Sequence, residues 1–337
     1  MLIARAPVRV SFFGGGTDLP AYYERFGGAV LSTAIDKYFY VVLGNSEGSV
    51  QVSSADYRTF FQHTAPSRRA PDDQLRLPRA VLDQFAIYEG LSIFLSSEVP
   101  PGTGLGSSSS VTVALVKALA TYCGQHLPPS RVAELACEIE IDRLAQPIGK
   151  QDQYAAAFGG MNFIEFRTDS SVVVTPLALP PETLRALERR VLLFFTGVCR
   201  RESTVLAQQS RRITESSSDT LRASGEMKEQ AYRARELLQT GRLDDFGSLL
   251  HDAWQAKKRA AAGVTDARAD RAYEVACAAG ALGAKVAGAG GGGFMLVYAR
   301  DGQQRQIVSA LEQEGLSPMN FRFESSGARV LVNALAA

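Results

Sequence analysis

A chain of 337 residues is long enough for two domains, each with its own core. Its 46% hydrophobic and 21% charged residues are those of an ordinary globular protein, and a formal net charge of +1 excludes bulk attraction to nucleic acid or to an anionic membrane. Any anion site must therefore be local. Cys123, Cys137, Cys199 and Cys277 are widely spaced, with no C-x-x-C pair and few histidines nearby. That usage argues for buried free thiols in a reducing compartment rather than for disulfides or zinc. The first residues reach Arg5, Pro7 and Arg9 at once, unlike a signal peptide, and the apolar runs are shorter than a membrane span. A cytoplasmic protein is expected.

In chain order, residues 8–13 read as a strand, Gly14, Gly15 and Gly16 break it, and residues 39–43 resume it. Residues 51–53 and 59–62 read as short strands of the same sheet. Residues 65–77, rich in Pro, Arg and Asp, read as a surface loop, 77–86 as a helix, and 93–97 as a strand. A helix is expected over 130–144, with Val132, Leu135, Ala136 and Ile139 on one face, then strands at 161–166 and 172–174. The chain pauses at 176–181, which divides it into expected domains 1–178 and 179–337. The second half reads as a strand at 191–195, one long polar helix from 203 to about 240, and helices at 243–262 and 267–279. A glycine-rich segment, a strand at 294–299, a helix at 303–314 and a strand at 328–332 close it. Mixed sheets with helices on one side, in two halves, define an α+β protein.

The most informative stretch is Pro100-Pro101-Gly102-Thr103-Gly104-Leu105-Gly106-Ser107-Ser108-Ser109-Ser110, which runs into an apolar helical segment. Alternate glycines let backbone approach a ligand closely, and the serines supply hydroxyls and helix-start chemistry. Orphan N–H groups and the positive helix end then favour an anion such as phosphate. No Lys follows the last glycine, so this is not a Walker A loop.

A second glycine cluster runs from Lys285 through Gly288, Gly290 and Gly291 to Gly293. Read as leaving a helix and entering a strand, it has the wrong order for a dinucleotide-binding turn, which disfavours a nicotinamide oxidoreductase. A glycine-rich hairpin without a ligand is its plain alternative. Lys150 and Asp152 follow a helix carrying Glu138, Glu140 and Asp142. A carboxylate beside a lysine suits accepting a hydroxyl proton, and a separate carboxylate with a serine hydroxyl suits Mg²⁺. Solvated helix carboxylates and a turn aspartate are the bland alternatives. The segment from Arg9 through Gly14, Gly15, Gly16 and Thr17 to Asp18 places a hydroxyl and a carboxylate at a strand end, suited to sugar hydroxyls or to a simple turn.

Taken together and in order, these segments resemble the GHMP kinase superfamily over nearly the whole chain. Residues 6–18, 100–109 and 285–293 resemble its first, second and third motifs. The resemblance implies a ribosomal-protein-like N-terminal α+β domain and a ferredoxin-like C-terminal sandwich. It also implies ATP and Mg²⁺, with Gly102, Gly104, Leu105, Gly106, Ser107, Ser108 and Ser109 at the nucleotide phosphates. By the same resemblance Asp152 is the base, Lys150 and Arg9 offset developing charge, and Glu140 with Ser108 holds the metal. Gly15, Gly16, Thr17, Asp18, Gly290 and Gly291 are the implied substrate contacts. The strings RVSFFGGGTDLPAYYERFGGAVL, GKQDQYAAAFGGMNFIEF, AWQAKK and KVAGAGGGGF most resemble the heptose 7-phosphate kinases of this superfamily. These enzymes phosphorylate the anomeric hydroxyl on the route to nucleotide-activated heptose. Fucose 1-kinases and a non-catalytic sensor of the same fold are the competing readings. A substrate carrying a phosphate needs further cations, for which Arg200, Arg201, Lys257, Lys258 and Arg259 are candidates. The expected partners are a small sugar or sugar phosphate and ATP, with neither nucleic acid nor membrane, in a monomer or homodimer.

Overall fold

Leu2, Ala4 and Ala6 are buried while Ile3 and Arg5 are half-buried, the period-two pattern of a strand with one covered face. In the computed structural model, which describes residues 1–56, 59–63, 76–199 and 202–335, this strand is β1 (Leu2–Phe13). The glycine turn and α1 (Pro20–Phe26) lead to β2 (Gly28–Ser54), a long strand that pairs antiparallel with β1 along its first half. β3 (Thr59–His63), α2 (Arg76–Phe85) and β4 (Glu89–Ser97) follow, with β3 and β4 both on β2. The loop expected at 65–77 lies outside the described residues up to 75.

Next come α3 (Ser107–Tyr122), α4 (Pro129–Cys137), a π-helical turn over Glu138–Arg143, α5 (Gln151–Phe158), β5 (Met161–Phe166) and β6 (Val172–Pro176). The single helix expected over 130–144 therefore ends in a π turn. α5 was not expected, because its eight residues are buried on nearly every side and show no amphipathic period.

The second half contains α6 (Pro181–Arg190), β7 (Val191–Phe195), α7 (Glu202–Thr214), α8 (Ser218–Gln239), α9 (Leu243–Ala260) and α10 (Ala267–Ala278). β8 (Ala281–Val286), β9 (Phe294–Ala299), α11 (Gln304–Gln313), β10 (Ser317–Met319) and β11 (Arg329–Asn333) complete it. The expected long helix is broken between α7 and α8, where Ser216 takes φ of +57° in a run of serines that compete for backbone hydrogen bonds.

β8 is a correction: the second glycine cluster leaves a strand, not a helix, and joins β8 to β9 as an antiparallel hairpin. Its sequence, ALGAKV, is poor in strand formers. Tertiary contact decides instead. A Cβ on Gly283 would stand 2.5 Å from Gly247 O, so α9 lies directly on the strand.

Among the described residues the first sheet has the order β11-β1-β2-β5-β6, with β3 and β4 also on β2, and the second has the order β10-β7-β9-β8. The latter, in a β-α-β-β-α-β sequence, is the ferredoxin-like arrangement. β11 pairs with β1, so the chain beyond 178 does not stay in its own half. Phe12 and Phe13 of β1 meet Phe246 of α9 edge-on at 5.5 and 5.1 Å, and Phe246 meets Tyr298 of β9 at 5.5 Å. Each such buried ring contributes about 1.5–3 kcal/mol, which fixes the end of β1 against the second sheet. All four cysteines are free, but only Cys137 is buried. No described helix is long and apolar enough to cross a membrane.

Candidate active site

The loop after β4 is built from left-handed glycines: φ is +69° at Gly102, +83° at Gly104 and +77° at Gly106. Gly106 is also the N-cap of α3, with no side-chain cap, so the first-turn amides have no side-chain acceptor. A Cβ on Gly104 would sit 2.7 Å from the Ala287 carbonyl, so the loop between β8 and β9 touches this one backbone to backbone. Phe294 N also donates to Thr103 O at 2.9–3.0 Å spacing typical of a sheet, here 3.0 Å. Two of the three glycine segments are thus one surface.

The first turn of α5 brings Asp152 to the same surface. Arg9 donates to Asp152 Oδ1 through Nε at 2.8 Å, with Nη2 at 2.6 Å, and through Nη1 to Gly104 O at 2.6 Å. The Arg9 side chain is 5% exposed and that of Asp152 23%. A Cβ on Gly106 would stand 3.1 Å from Asp152 Oδ2, so the second carboxylate oxygen faces the start of α3.

Glu140 is fully buried. It lies four and seven residues beyond Ala136 and Ala133, on the covered face of the helix that precedes it. Ser109 Oγ at 2.8 Å and Gln153 Nε2 at 2.6 Å donate to Oε2, and the Thr112 hydroxyl donates to Oε1. Burial pushes its carboxyl up to about 7 against the pull of these donors. The serine that reaches Glu140 is Ser109, not Ser108, which is exposed; Glu138 is paired with Arg131 at the surface. Thr112 and Gln153 escaped the sequence reading, although Thr112 lies three residues beyond Ser109 on the same helix face. No group of three or more His, Cys, Asp or Glu that could hold a metal occurs among the described residues.

The turn after β1 is built differently from its expected role. Thr17 is fully buried and its hydroxyl donates to Gly14 O and Ala29 O at 2.8 and 3.1 Å while accepting from Ala29 N at 3.1 Å. It braces the turn from inside the fold, with its one proton committed to those two carbonyls. Asp18 Oδ1 accepts from Gly16 N at 2.8 Å and Oδ2 from Gln151 N at 3.1 Å, which ties the turn to α5. Burial, then the Asp152 charge, raises the Asp18 carboxyl. Gly15 is half-buried beside Ser11 Oγ and Gln151 Oε1, which are 3.0 Å apart. Gln209 of α7, another residue the sequence did not indicate, packs on Gly16, where a Cβ would meet its Nε2 at 2.7 Å.

Lys150 is the clearest departure. Its Nζ donates to Ser170 O at 3.2 Å and lies 4.9 Å from the Tyr23 ring, so it does not join Asp152. Gly290 N and Gly291 N are also engaged, by Ala287 O at 3.3 Å and Val264 O at 2.8 Å, and do not offer amides to a substrate. Lys257 donates to Val286 O and Gly288 O, Lys258 lies over the Trp254 and Tyr273 rings, and Arg259 pairs with Glu226. These three do not form one pocket, and Arg200 and Arg201 lie outside the described residues.

An anion-ready helix start, a carboxylate with one oxygen facing it, and a buried arginine joining the two are the parts of a phosphoryl-transfer site. The N-terminal domain of GHMP kinases matches residues 75–160, and the C-terminal domain matches residues 234–316. A D-glycero-alpha-D-manno-heptose 7-phosphate kinase of Campylobacter jejuni is 30% identical over 331 residues, covering 96% of this chain and 97% of its own. An L-fucokinase/L-fucose-1-P guanylyltransferase of Bacteroides fragilis is 28% identical over 95% of this chain, which spans 37% of that protein. The crystal structure of a D-glycero-D-manno-heptose 1-phosphate kinase from Bacteroides thetaiotaomicron superposes with a TM-score of 0.83 at 26% identity, covering 99% of each chain. The protein is a two-domain α+β phosphotransferase that uses ATP. It belongs to the GHMP kinases.

Proposed function

We propose that this kinase acts on a sugar and transfers the terminal phosphate of ATP to the anomeric hydroxyl of D-glycero-D-manno-heptose 7-phosphate, giving the 1,7-bisphosphate. The observation that carries the reading is the Arg9 bridge, which ties Asp152 to the Gly104 carbonyl and so sets a base beside the phosphate loop. The substrate rests on the similarity to the Campylobacter jejuni enzyme.

In this reading the first-turn amides of α3 and the backbone of residues 102–109 hold the nucleotide phosphates. Asp152 Oδ2, which faces Gly106, takes the proton of the anomeric hydroxyl as its oxygen attacks the terminal phosphorus. An anomeric hydroxyl is more acidic than an ordinary alcohol, so a modest base serves. Arg9 keeps Oδ1 occupied, which leaves one carboxylate oxygen for the proton, and offsets charge that develops between the substrates. The Gly14–Gly16 turn, held by Asp18 and Thr17, supplies a rigid wall for the sugar.

Hard oxygen donors suit Mg²⁺, and here they are the Glu140 carboxylate, the serine hydroxyls at the start of α3, and Gln153 Oε1, which is buried without a partner. The set fits the ion: Glu140 with Ser108 or Ser109 would hold it. Bound there, it would neutralise charge on the nucleotide phosphates.

The similarity to the Bacteroides fragilis protein supports a second reading, a fucose 1-kinase. ATP consumption against a panel of free hexoses, fucose, heptoses and sugar 7-phosphates separates the two. Turnover with the heptose 7-phosphate at least tenfold above fucose in kcat/KM supports the first reading, and the reverse order replaces it with the second.

A further inference from the structure

A helix of eight residues is too short to persist alone in water, so its direction is set by whatever grips its ends. α5 is such a helix, and Asp152 is its second residue. The residue at its N-cap is Lys150, whose side chain makes no cap hydrogen bond. One of the orphan amides of the first turn is taken instead by Asp18, 133 residues away. Gln151 N donates to Asp18 Oδ2 at 3.1 Å, and Lys150 N donates to Asp18 O at 3.3 Å. Past the other end, Gly160 N donates to Glu324 O at 2.8 Å and Ala328 N to Ala156 O at 3.0 Å.

Asp18 is buried, and its two carboxylate oxygens serve two different elements. Oδ1 accepts from Gly16 N at 2.8 Å in the glycine turn, while Oδ2 holds the start of α5. The fit is close: a Cβ on Gly149 would stand 1.9 Å from Asp18 Oδ2 and 2.9 Å from Asp18 O, so only glycine lets the carboxylate reach the helix there. Gln151 passes the restraint on. Its Oε1 accepts from Ser11 Oγ at 3.0 Å, and its Nε2 donates to Asp152 Oδ1 at 3.4 Å, the oxygen that Arg9 also holds. Side chains thus fix Asp152 Oδ1, and Asp18 fixes the backbone that carries it.

We propose that Asp18 is a positioning residue: as the remote cap of α5 it directs Asp152 Oδ2 toward the start of α3, and it contributes to transfer through Asp152 rather than by contact with the sugar. The inference rests on the reading of Asp152 as the base. The chemistry of the two partners explains why a carboxylate stands at position 18. Both are backbone N–H donors, and a side chain with two acceptor atoms and no donor satisfies both at once. Release of either amide frees α5 from the glycine turn, and a shift of about 1 Å in reacting geometry lowers rate by about 10²-fold.

The test is a double-mutant cycle between Asp18→Asn and Asp152→Asn in steady-state turnover, with ATP and whichever sugar of the panel is turned over fastest. Asp18→Asn keeps the shape but replaces one acceptor with a donor, so one of the two amides loses its partner. It is expected to lower kcat about 10–100-fold with sugar KM within about threefold. In the Asp152→Asn background the same change is expected to lower kcat less than about threefold, because the group it positions is already gone. Equal losses in the two backgrounds overturn the proposal, as does a rise of about tenfold or more in sugar KM at unchanged kcat, the mark of a direct sugar contact. A fall with Asp152→Asn but none with Asp18→Asn overturns it while leaving the base reading intact; full turnover with Asp152→Asn removes both. Should Asp18→Asn fail to fold, Gly149→Ala keeps the carboxylate but displaces Asp18 Oδ2 with its Cβ, and is read in the same cycle.

Discussion

Asp152→Asn keeps the shape of the side chain and an acceptor for Arg9 but removes both the charge and the proton acceptor. Arg9 Nη2 lies 2.6 Å from Asp152 Oδ1, and the guanidinium is 5% exposed. A hydrogen bond between charged groups contributes about 1.5–3 kcal/mol, and the 23% exposure of Asp152 reduces that to about 1–2 kcal/mol of stability. For a chain of this size that is a fall of roughly 1.5–3 °C in Tm. The effect on chemistry is expected to be larger. Loss of a general base costs about 10²–10⁴ in rate, or about 3–5 kcal/mol in the barrier. The acidity of an anomeric hydroxyl places this enzyme near the lower end. The assay is steady-state turnover with ATP and sugar varied independently, with Tm measured on the same sample. The account expects kcat to fall at least about 100-fold with both KM values within about threefold. A kcat within about tenfold of wild type, at unchanged KM, would refute the role given to Asp152.

Lys150→Ala is expected to leave kcat within about threefold, because its Nζ is engaged with Ser170 O and not with Asp152; a loss above about 30-fold in steady-state turnover would restore its catalytic role. Gly104→Ala places a Cβ at φ of +83° and 2.7 Å from the Ala287 carbonyl. Strain of at least about 1–2 kcal/mol and separation of the two loops should lower Tm and raise the KM for ATP more than that for sugar. For Lys285 the sign of the pH effect follows from its depressed ionisation. Below the ordinary lysine value the unfolded chain binds a proton that the folded chain does not, so this residue lowers stability increasingly as pH falls toward its folded value. The Tm of Lys285→Met relative to wild type should therefore rise between about pH 10 and pH 7, and a flat difference in thermal melts across that window would contradict it.

Much of the fold was legible because its strong elements follow simple periods. β9 and β5 are apolar runs, α2, α9 and α10 are amphipathic or capped, and the strand at 191–195 is as expected. What escaped was fixed by tertiary contact. β8 has a sequence poor in strand formers and exists because β9 pairs with it and α9 lies on Gly283. α5 is short and buried all round, so no face marked it, although it carries Asp152. The resemblance to the family singled out Asp152 and Glu140, where residue type and spacing left several carboxylates open, and neither showed their neighbours. Arg9 lies 143 residues from Asp152, and no local pattern shows that it bridges to Gly104. Nor does sequence reveal that Thr17 is buried in its own turn, or that Lys285, read as the first residue of a glycine motif, is buried on Phe12 O.

The measurement that bears most directly on the central claim is ³¹P NMR of the product formed from ATP and D-glycero-D-manno-heptose 7-phosphate. One new sugar phosphate resonance, coupled to the anomeric proton, is expected to appear in step with ADP, and to appear at least about 100-fold more slowly with Asp152→Asn. A new phosphate on any other carbon, or ADP released without a sugar phosphate, would contradict it.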